Sequence, residues 1–213
     1  MVASFFYKQN MTLTFAISII TGVVSFAAFR NPDIANKLKF NAYDIYHKKQ
    51  WYRMITYAFV HADWGHLLIN LMVFISFGDN VEAYFKYFFG DLGKAYFLFL
   101  YFSSIIISSV YDLFQQKNNH WYNAVGASGA VSAVLYASVF FDPLAKVYFF
   151  GILPIPGILF AVLYLFYSYY MAKKSNDNIG HYAHFWGAVY GFIFPLILNP
   201  QLIHIFTGKL LNF

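Results

Sequence analysis

The sequence predicts an all-α, polytopic membrane protein, and three observations carry this prediction. Of 213 residues, 60% are hydrophobic and only 11% are charged, whereas soluble domains are ~45–50% apolar and ~25% charged. The apolar residues form long continuous stretches. These stretches lack the alternation of half-buried strands, so we expect no strands.

Six stretches are long and apolar enough to be considered as membrane helices, because a bilayer core of ~30 Å needs ~20 residues of helix. We expect them to form a single domain, residues 1–213, with no repeat and no second domain. The predicted spans are residues 11–29, 64–89, 95–111, 126–141, 147–172 and 181–198.

The predicted spans are joined by short connections, with one exception. The first loop, residues 30–63, is long and mixes charges with Trp51, Tyr52 and Tyr57. Such aromatic residues favour the membrane interface, so we expect this loop to lie partly in the bilayer surface. The polar segment 173–180 is expected to cap a cavity.

Composition excludes several classes of function. There is no cysteine, which excludes disulfides, cysteine proteases and cysteine-ligated metals. The lysines and arginines form no long run, so we expect no nucleic-acid partner.

The segment Gly126-Ala127-Ser128-Gly129 opens the fourth span. Small neighbours leave a serine hydroxyl accessible, and the free N–H groups of a first helical turn attract negative charge. This arrangement suits a nucleophile beside an oxyanion site. The competing interpretation is close helix packing, to which Ala133 and Ala137 would contribute.

In the sixth span, Gly187 and Gly191 lie on the same helical face as His184. This face of small residues predicts close packing against another helix, with His184 at the seam. A neutral imidazole there could accept a proton from a hydroxyl. The alternative is a histidine that only hydrogen-bonds a neighbouring helix.

His61 ends the first loop, and His66 and Asn70 follow on one helical face of the second span. Both can donate hydrogen bonds into a common cavity, as an oxyanion site requires. The competing interpretation is a metal site that adds His181 and His184. No His-Glu-x-x-His pattern is present, and we expect neither metal nor cofactor.

Two further charges lie near predicted membrane boundaries. Arg53 belongs to the first loop, and Glu82 follows Gly78 by one helical turn. Their simplest interpretation is that the charged ends reach the interface.

Together these motifs resemble the rhomboid family of intramembrane serine proteases. The resemblance runs from about Trp51 to Gly191. It rests on His61-x4-His66-x3-Asn70, on Gly126-x-Ser128-Gly129 and on His184-x2-Gly187-x3-Gly191, in that order along six spans. Each motif is weak alone, but the three in register are specific.

The resemblance implies a catalytic Ser–His dyad without a third acid. Ser128 would be the nucleophile and His184 the general base and acid. The oxyanion would be bound by the Ser128 backbone N–H together with the side chains of His66 and Asn70. His61 would organise the first loop, and Arg53 and Glu82 would brace that loop and the second helix. The remaining supporting residues are Gly126, Gly129, His181, Gly187 and Gly191.

The substrates implied by the resemblance are single-span or polytopic membrane proteins, cut in or near a transmembrane segment. A helix must unwind before its peptide bonds can be attacked, so we expect helix-weakening residues near the cut. By resemblance, the cap at 173–180 moves with the fifth helix to admit substrate.

Two positions depart from the family pattern. Tyr52 stands where a tryptophan usually precedes the first-loop arginine, and another aromatic should serve there. Ser132 occupies the position four residues after the nucleophile, where an aromatic commonly stacks on the base. Tyr136 and Trp186 are the candidates to replace that ring.

The family implies an amino terminus in the cytoplasm and a site that opens outward. With this topology, nine of the 14 Lys and Arg residues fall on the outer side, against the positive-inside rule. Small size and a single domain suggest a multi-pass protein of a bacterial inner membrane.

Two other functions remain open from the sequence. One is a catalytically silent rhomboid-like protein that binds membrane proteins. The other is a small transporter that relays protons through its histidines, although no internal repeat and no intramembrane carboxylate supports it.

Overall fold

The computed structural model describes residues 11–149, 152–174 and 179–211. These residues are mainly helical, as the sequence predicts. The six longest helices are α1 (Leu13–Arg30), α5 (Trp64–Phe89), α6 (Gly93–Gln116), α7 (Ser128–Phe141), α8 (Gly157–Lys174) and α9 (His181–Leu198).

Shorter elements lie between and after these helices. The first loop contains α2 (Pro32–Leu38), β1 (Phe40–Asn41), α3 (Ala42–His47) and α4 (Arg53–Thr56). Further along the chain lie β2 (Asn123–Ala124), β3 (Lys146–Phe149), β4 (Leu153–Pro156) and α10 (Ile203–Leu211), and 3-10 helices occupy Tyr57–Phe59, Gly90–Leu92 and Pro200–Leu202.

By length and composition, the described residues contain two helical stretches able to cross a membrane. They are Leu13–Arg30 and the stretch Trp64–Gln116, which includes both α5 and α6. A third is added if α9 and α10, bent by 115° near Pro200, count as one span. Whether all six long helices cross the bilayer therefore stays a prediction.

The largest difference from the sequence prediction concerns residues 147–172. Its first part belongs to an antiparallel β-hairpin, with Lys146 opposite Pro156, and the helix begins only at Gly157. Pro154 and Pro156 explain this, because proline lacks an N–H and pushes the preceding residue out of the helical region. The expectation of no strands was wrong here.

The predicted cap, residues 173–180, is described only at its ends. Helix α8 continues to Lys174, and α9 begins at His181. Residues 175–178 lie outside the described residues, so the capping role stays a prediction.

Helix α7 lies at the centre of the fold. All of its residues after Ser128 are buried, and it packs against α5, α6, α8 and α9. Small residues make its closest approach possible: an added methyl group on Gly187 or Gly191 of α9 would overlap the backbone of Gly129 or Ala133 of α7.

Candidate active site

The loop that leads into α7 is held by the first loop. Strands β1 and β2 pair antiparallel, with Phe40 opposite Ala124. The backbone N–H of Gly126 donates to the Tyr57 carbonyl at 3.0 Å, and the N–H of Ala127 donates to Nε2 of His61 at 3.4 Å. The first loop thus positions the residues immediately before Ser128.

Gly126 has two reasons to be glycine. Its φ of +112° lies where side chains are strained. A methyl group there would also lie 2.6 Å from Cε1 and 2.8 Å from Nε2 of His66. The glycine therefore lets the His66 ring rest directly against the loop before Ser128.

Ser128 is the first residue of α7 and is partly exposed, unlike the rest of that helix. No side chain caps this N-terminus. The first N–H groups of a helix have no intrahelical acceptor, so those at Ser128 and Gly129 are available to a ligand. The helix dipole favours negative charge at the same place.

Gly129 brings α7 and α9 together beside His184. A methyl group on Gly129 would lie 3.3 Å from the Ala183 carbonyl oxygen, and one on Gly187 would overlap the Gly129 carbonyl. The backbone next to Ser128 thus touches α9 immediately before His184 and one turn after it. Ser128 and His184 lie at the same level of this helix pair.

Among the described residues, the Ser128 hydroxyl makes no hydrogen bond of its own. In proteases without substrate, such bonds are often long and tighten only when substrate binds.

His66 and Asn70 lie on the face of α5 that is turned toward this site. Asn70 is buried, and its Nδ2 donates to the His66 carbonyl at 2.8 Å. The same residue lines a small cavity together with Ala127 and Val131 at the start of α7. The second Nδ2 hydrogen of Asn70 is available to other acceptors.

His61 joins α1 to the loop before Ser128. The Ser25 hydroxyl donates to the Phe59 carbonyl at 2.8 Å and lies 2.9 Å from Nδ1 of His61. The Nδ1–H group therefore donates to Ser25, and Nε2 is left to accept from Ala127. Burial, aided by nearby His66, lowers the pKa of His61 to about 3, which keeps the ring neutral.

The Arg53 side chain braces the first loop by donating hydrogen bonds to backbone carbonyls of that loop. Its guanidinium donates to the carbonyls of Asn36 and Lys39 at 2.8 and 2.7 Å, and to the Gln50 side chain at 2.6 Å. The Tyr52 ring lies 5.5 Å from the guanidinium carbon, so an aromatic residue does stand beside this arginine.

Glu82 holds the second predicted span against the first. Its carboxylate accepts from the backbone N–H groups of Leu13 and Thr14, at 3.1 and 2.6 Å, and from the Thr14 hydroxyl. Glu82 therefore ties α5 to the start of α1. Gly78 permits this approach, since a methyl group there would lie 2.5 Å from the Thr14 hydroxyl.

The ring stacked on His184 belongs to Tyr164 of α8, which sequence reasoning did not single out. The two ring centres are 6.2 Å apart, with 24° between the planes. Tyr136 instead donates to the Ala161 carbonyl, and Trp186 packs on Phe185. No spacing rule relates residue 164 to residue 184, so only the packing of α8 on α9 reveals this partner.

The histidines of the site form two pairs. The ring centres of His61 and His66 are 5.0 Å apart, and those of the buried His181 and of His184 are 6.1 Å apart. Among the described residues, no three His, Asp or Glu side chains are grouped as metal ligands.

Comparison with known proteins is consistent with this geometry. A family model described as the rhomboid domain matches residues 48–201. The matched region contains the first loop from Lys48 onward, together with Ser128, His184, His66 and Asn70.

Individual relatives match part of this chain. "RHOMBOID-like protein 12, mitochondrial" of Arabidopsis thaliana is 27% identical over 154 residues, covering 63% of this chain and 43% of that protein. "Putative rhomboid protease YdcA" of Bacillus subtilis is 32% identical over 152 residues, covering 70% of this chain and 67% of that protein. "Rhomboid protein 1, mitochondrial" of Saccharomyces cerevisiae is 32% identical, and the match spans 28% of its length.

Proposed function

Because this chain belongs to the rhomboid family, we propose that it is an intramembrane serine endopeptidase that uses Ser128 and His184 as a catalytic dyad. The observation that carries the proposal is the contact of the Gly129 backbone with α9 on both sides of His184. This contact between the backbones of neighbouring helices, beside Ser128 and on both sides of His184, supports their pairing.

In the proposed reaction, His184 removes the proton from the Ser128 hydroxyl as Oγ attacks the substrate carbonyl. The resulting imidazolium then gives that proton to the leaving amine, and an acyl-enzyme remains. Water, deprotonated by the same imidazole, hydrolyses the ester and restores Ser128.

The oxyanion formed in each attack would be bound by the Ser128 backbone N–H and by the side chains of His66 and Asn70. The uncapped N-terminus of α7 supports the first donor. Contact of His66 with Gly126, and the cavity that Asn70 shares with Ala127, support the other two. Losing one such donor typically lowers kcat ~10²–10³-fold.

We propose membrane proteins as substrates, with one or several spans. Close neighbours around Gly126 and Gly129 leave little space beside Ser128, which favours small substrate residues at the cleaved bond. Six membrane-crossing helices, with α7 at their centre, in a bacterial inner membrane complete the proposal. The relatives include mitochondrial proteins as well as one from a bacterium.

The test is cleavage of a generic single-span substrate by the protein in liposomes. Ser128→Ala should abolish cleavage, with a loss of ~10³-fold or more, and His184→Ala should do nearly the same because the two groups act as one unit. Ser138→Ala removes a hydroxyl near the other end of α7 and should leave cleavage unchanged. Near-normal turnover by folded Ser128→Ala would refute the proposal.

A catalytically silent binding protein is the second candidate, because one relative is named only as a rhomboid-like protein. A fluorophosphonate probe separates the two. An activated serine reacts with the probe, so labelling that disappears in Ser128→Ala supports the protease. Client binding without labelling would support the silent protein.

A further inference from the structure

The proposed general base rests against a ring from α8, the helix that follows the β3–β4 hairpin. The Tyr164 and His184 rings are nearly parallel, with centres 6.2 Å apart. A stacked aromatic face restricts how an imidazole can turn and also favours its protonated form. The first effect would keep the His184 imidazole directed at one hydroxyl, and the second would stabilise the imidazolium formed during the reaction.

Tyr164 is itself held in place by neighbours on two helices. Its hydroxyl lies 3.4 Å from the Ser132 hydroxyl of α7. The Phe160 ring stacks on it, with centres 5.8 Å apart and 13° between the planes. One turn earlier on α8, the Ala161 carbonyl accepts the hydroxyl of Tyr136 from α7, which fixes the distance between the helices.

Residue 132 on α7 is too small to reach His184. Ser132 lies one turn after Ser128, where a larger side chain would compete for the space that Tyr164 occupies, because the two hydroxyls are already in contact range. Ser132 on α7 and Tyr164 on α8 are therefore complementary in size.

We propose that Tyr164 is the positioning residue for His184, and that Ser132 is small in order to admit it. This inference rests on the proposed function, since it concerns the base of that reaction. It makes the alignment of the base depend on α8. Any displacement of α8 from α7 carries the supporting ring away from His184.

The experiment measures kcat and KM for a single-span substrate in liposomes. Tyr164→Phe keeps the ring and loses the hydroxyl, whereas Tyr164→Leu keeps much of the bulk and loses the ring. Phe166→Ala is the matched control, because Phe166 is an exposed aromatic residue on the same helix. Ser132→Phe combined with Tyr164→Leu moves an aromatic ring back to α7. Thermal unfolding of each variant shows that it is folded.

We expect Tyr164→Leu to lower kcat ~5- to 10-fold, which is the size expected for one lost aromatic contact, with KM nearly unchanged. Tyr164→Phe and Phe166→Ala should stay within about twofold of wild type, and the double variant should recover most of the loss. A residue that only packs α8 would change KM and unfolding temperature without affecting kcat.

Two results would overturn the inference while the protease itself stands: a wild-type kcat in folded Tyr164→Leu, or an equal loss in Tyr164→Phe and Tyr164→Leu. If wild-type protein neither cleaves the substrate nor reacts with a fluorophosphonate at Ser128, the proposed function fails first and the role of Tyr164 fails with it.

Discussion

At the scale of single residues, His61 illustrates how a buried neutral ring can support a site without touching the reaction. It is 3% exposed, and both of its nitrogens are engaged, one with Ser25 of α1 and one with the backbone of Ala127. Protonation would put a second donor on Nε2, facing the Ala127 N–H. The contact with the loop before Ser128 would then be lost.

This arrangement predicts a pH dependence of stability. The folded-state pKa of His61 is about 3, below the ordinary value of about 6.5. The unfolded chain therefore binds a proton that the folded chain excludes, and stability falls as pH drops below 6.5. Lowering the pH from 7 to 5 should reduce the unfolding free energy by about 2 kcal/mol from this group.

The measurement compares unfolding in micelles at both pH values. His61→Gln should flatten the pH dependence, whatever its effect on stability at pH 7. His47→Gln removes an exposed histidine of the first loop and should leave the dependence as in wild type. An unchanged slope in His61→Gln would show that another group controls it.

At the same scale, sequence reasoning supplied candidates for the site more readily than it supplied their packing partners. Ser128, His184, His66 and Asn70 are recognisable because their motifs depend on spacing within one helix, which the sequence displays directly. Tyr164 belongs to a third helix, and its register against α9 is set by packing.

At the scale of elements, α7 and α9 approach each other so closely that their glycines leave no room for a methyl group. Gly187 faces the Gly129 backbone, so Gly187→Ala must push the helices apart or displace the carbonyl. Such overpacking typically costs ~1–3 kcal/mol, and it would also separate Ser128 from His184. We expect a lower unfolding temperature together with a large loss of cleavage.

Gly22→Ala is the matched control for this substitution. Gly22 lies within α1, and a methyl group there would meet nothing within 4 Å. It should keep full activity, with equal or slightly greater stability because alanine favours helices. Wild-type cleavage by Gly187→Ala would show that the close contact is not needed.

The elements also show where an apolar pattern predicts structure and where it does not. Most long helices begin and end within a few residues of the apolar stretches, because charges, caps and glycines mark their ends: Asp63 caps α5, for example. Residues 147–156 are equally apolar, but Lys146–Phe149 and Leu153–Pro156 pair as antiparallel strands. Hydropathy does not distinguish a short apolar strand from part of a helix, and Pro154 and Pro156 were the available signal.

At the scale of the whole molecule, the distribution of charge and the family topology disagree, and the absence of cysteine makes this easy to test. Trp121, before α7, is 89% exposed, and Tyr87, near the end of α5, is 80% exposed. The 26 residues of α5 separate its two ends by ~39 Å. Single-cysteine variants at these positions therefore report on opposite ends of the molecule.

We expect Trp121→Cys in intact cells to react with a membrane-impermeant maleimide, and Tyr87→Cys to react only after the membrane is permeabilised. The cysteine-free parent measures background labelling. The reverse pattern would place the Ser128 end of the molecule in the cytoplasm, as the lysine and arginine count alone suggests.

The length of α7 has a consequence for where substrates would be cut. Its 14 residues span only ~21 Å, about 9 Å less than the thickness of a typical hydrocarbon core. If α7 is anchored at the opposite surface, as the proposed function requires, it would hold Ser128 at a fixed depth below the lipid boundary. The scissile bond would be chosen by its distance from the lipid boundary as well as by its side chains, so bilayer thickness becomes part of the specificity.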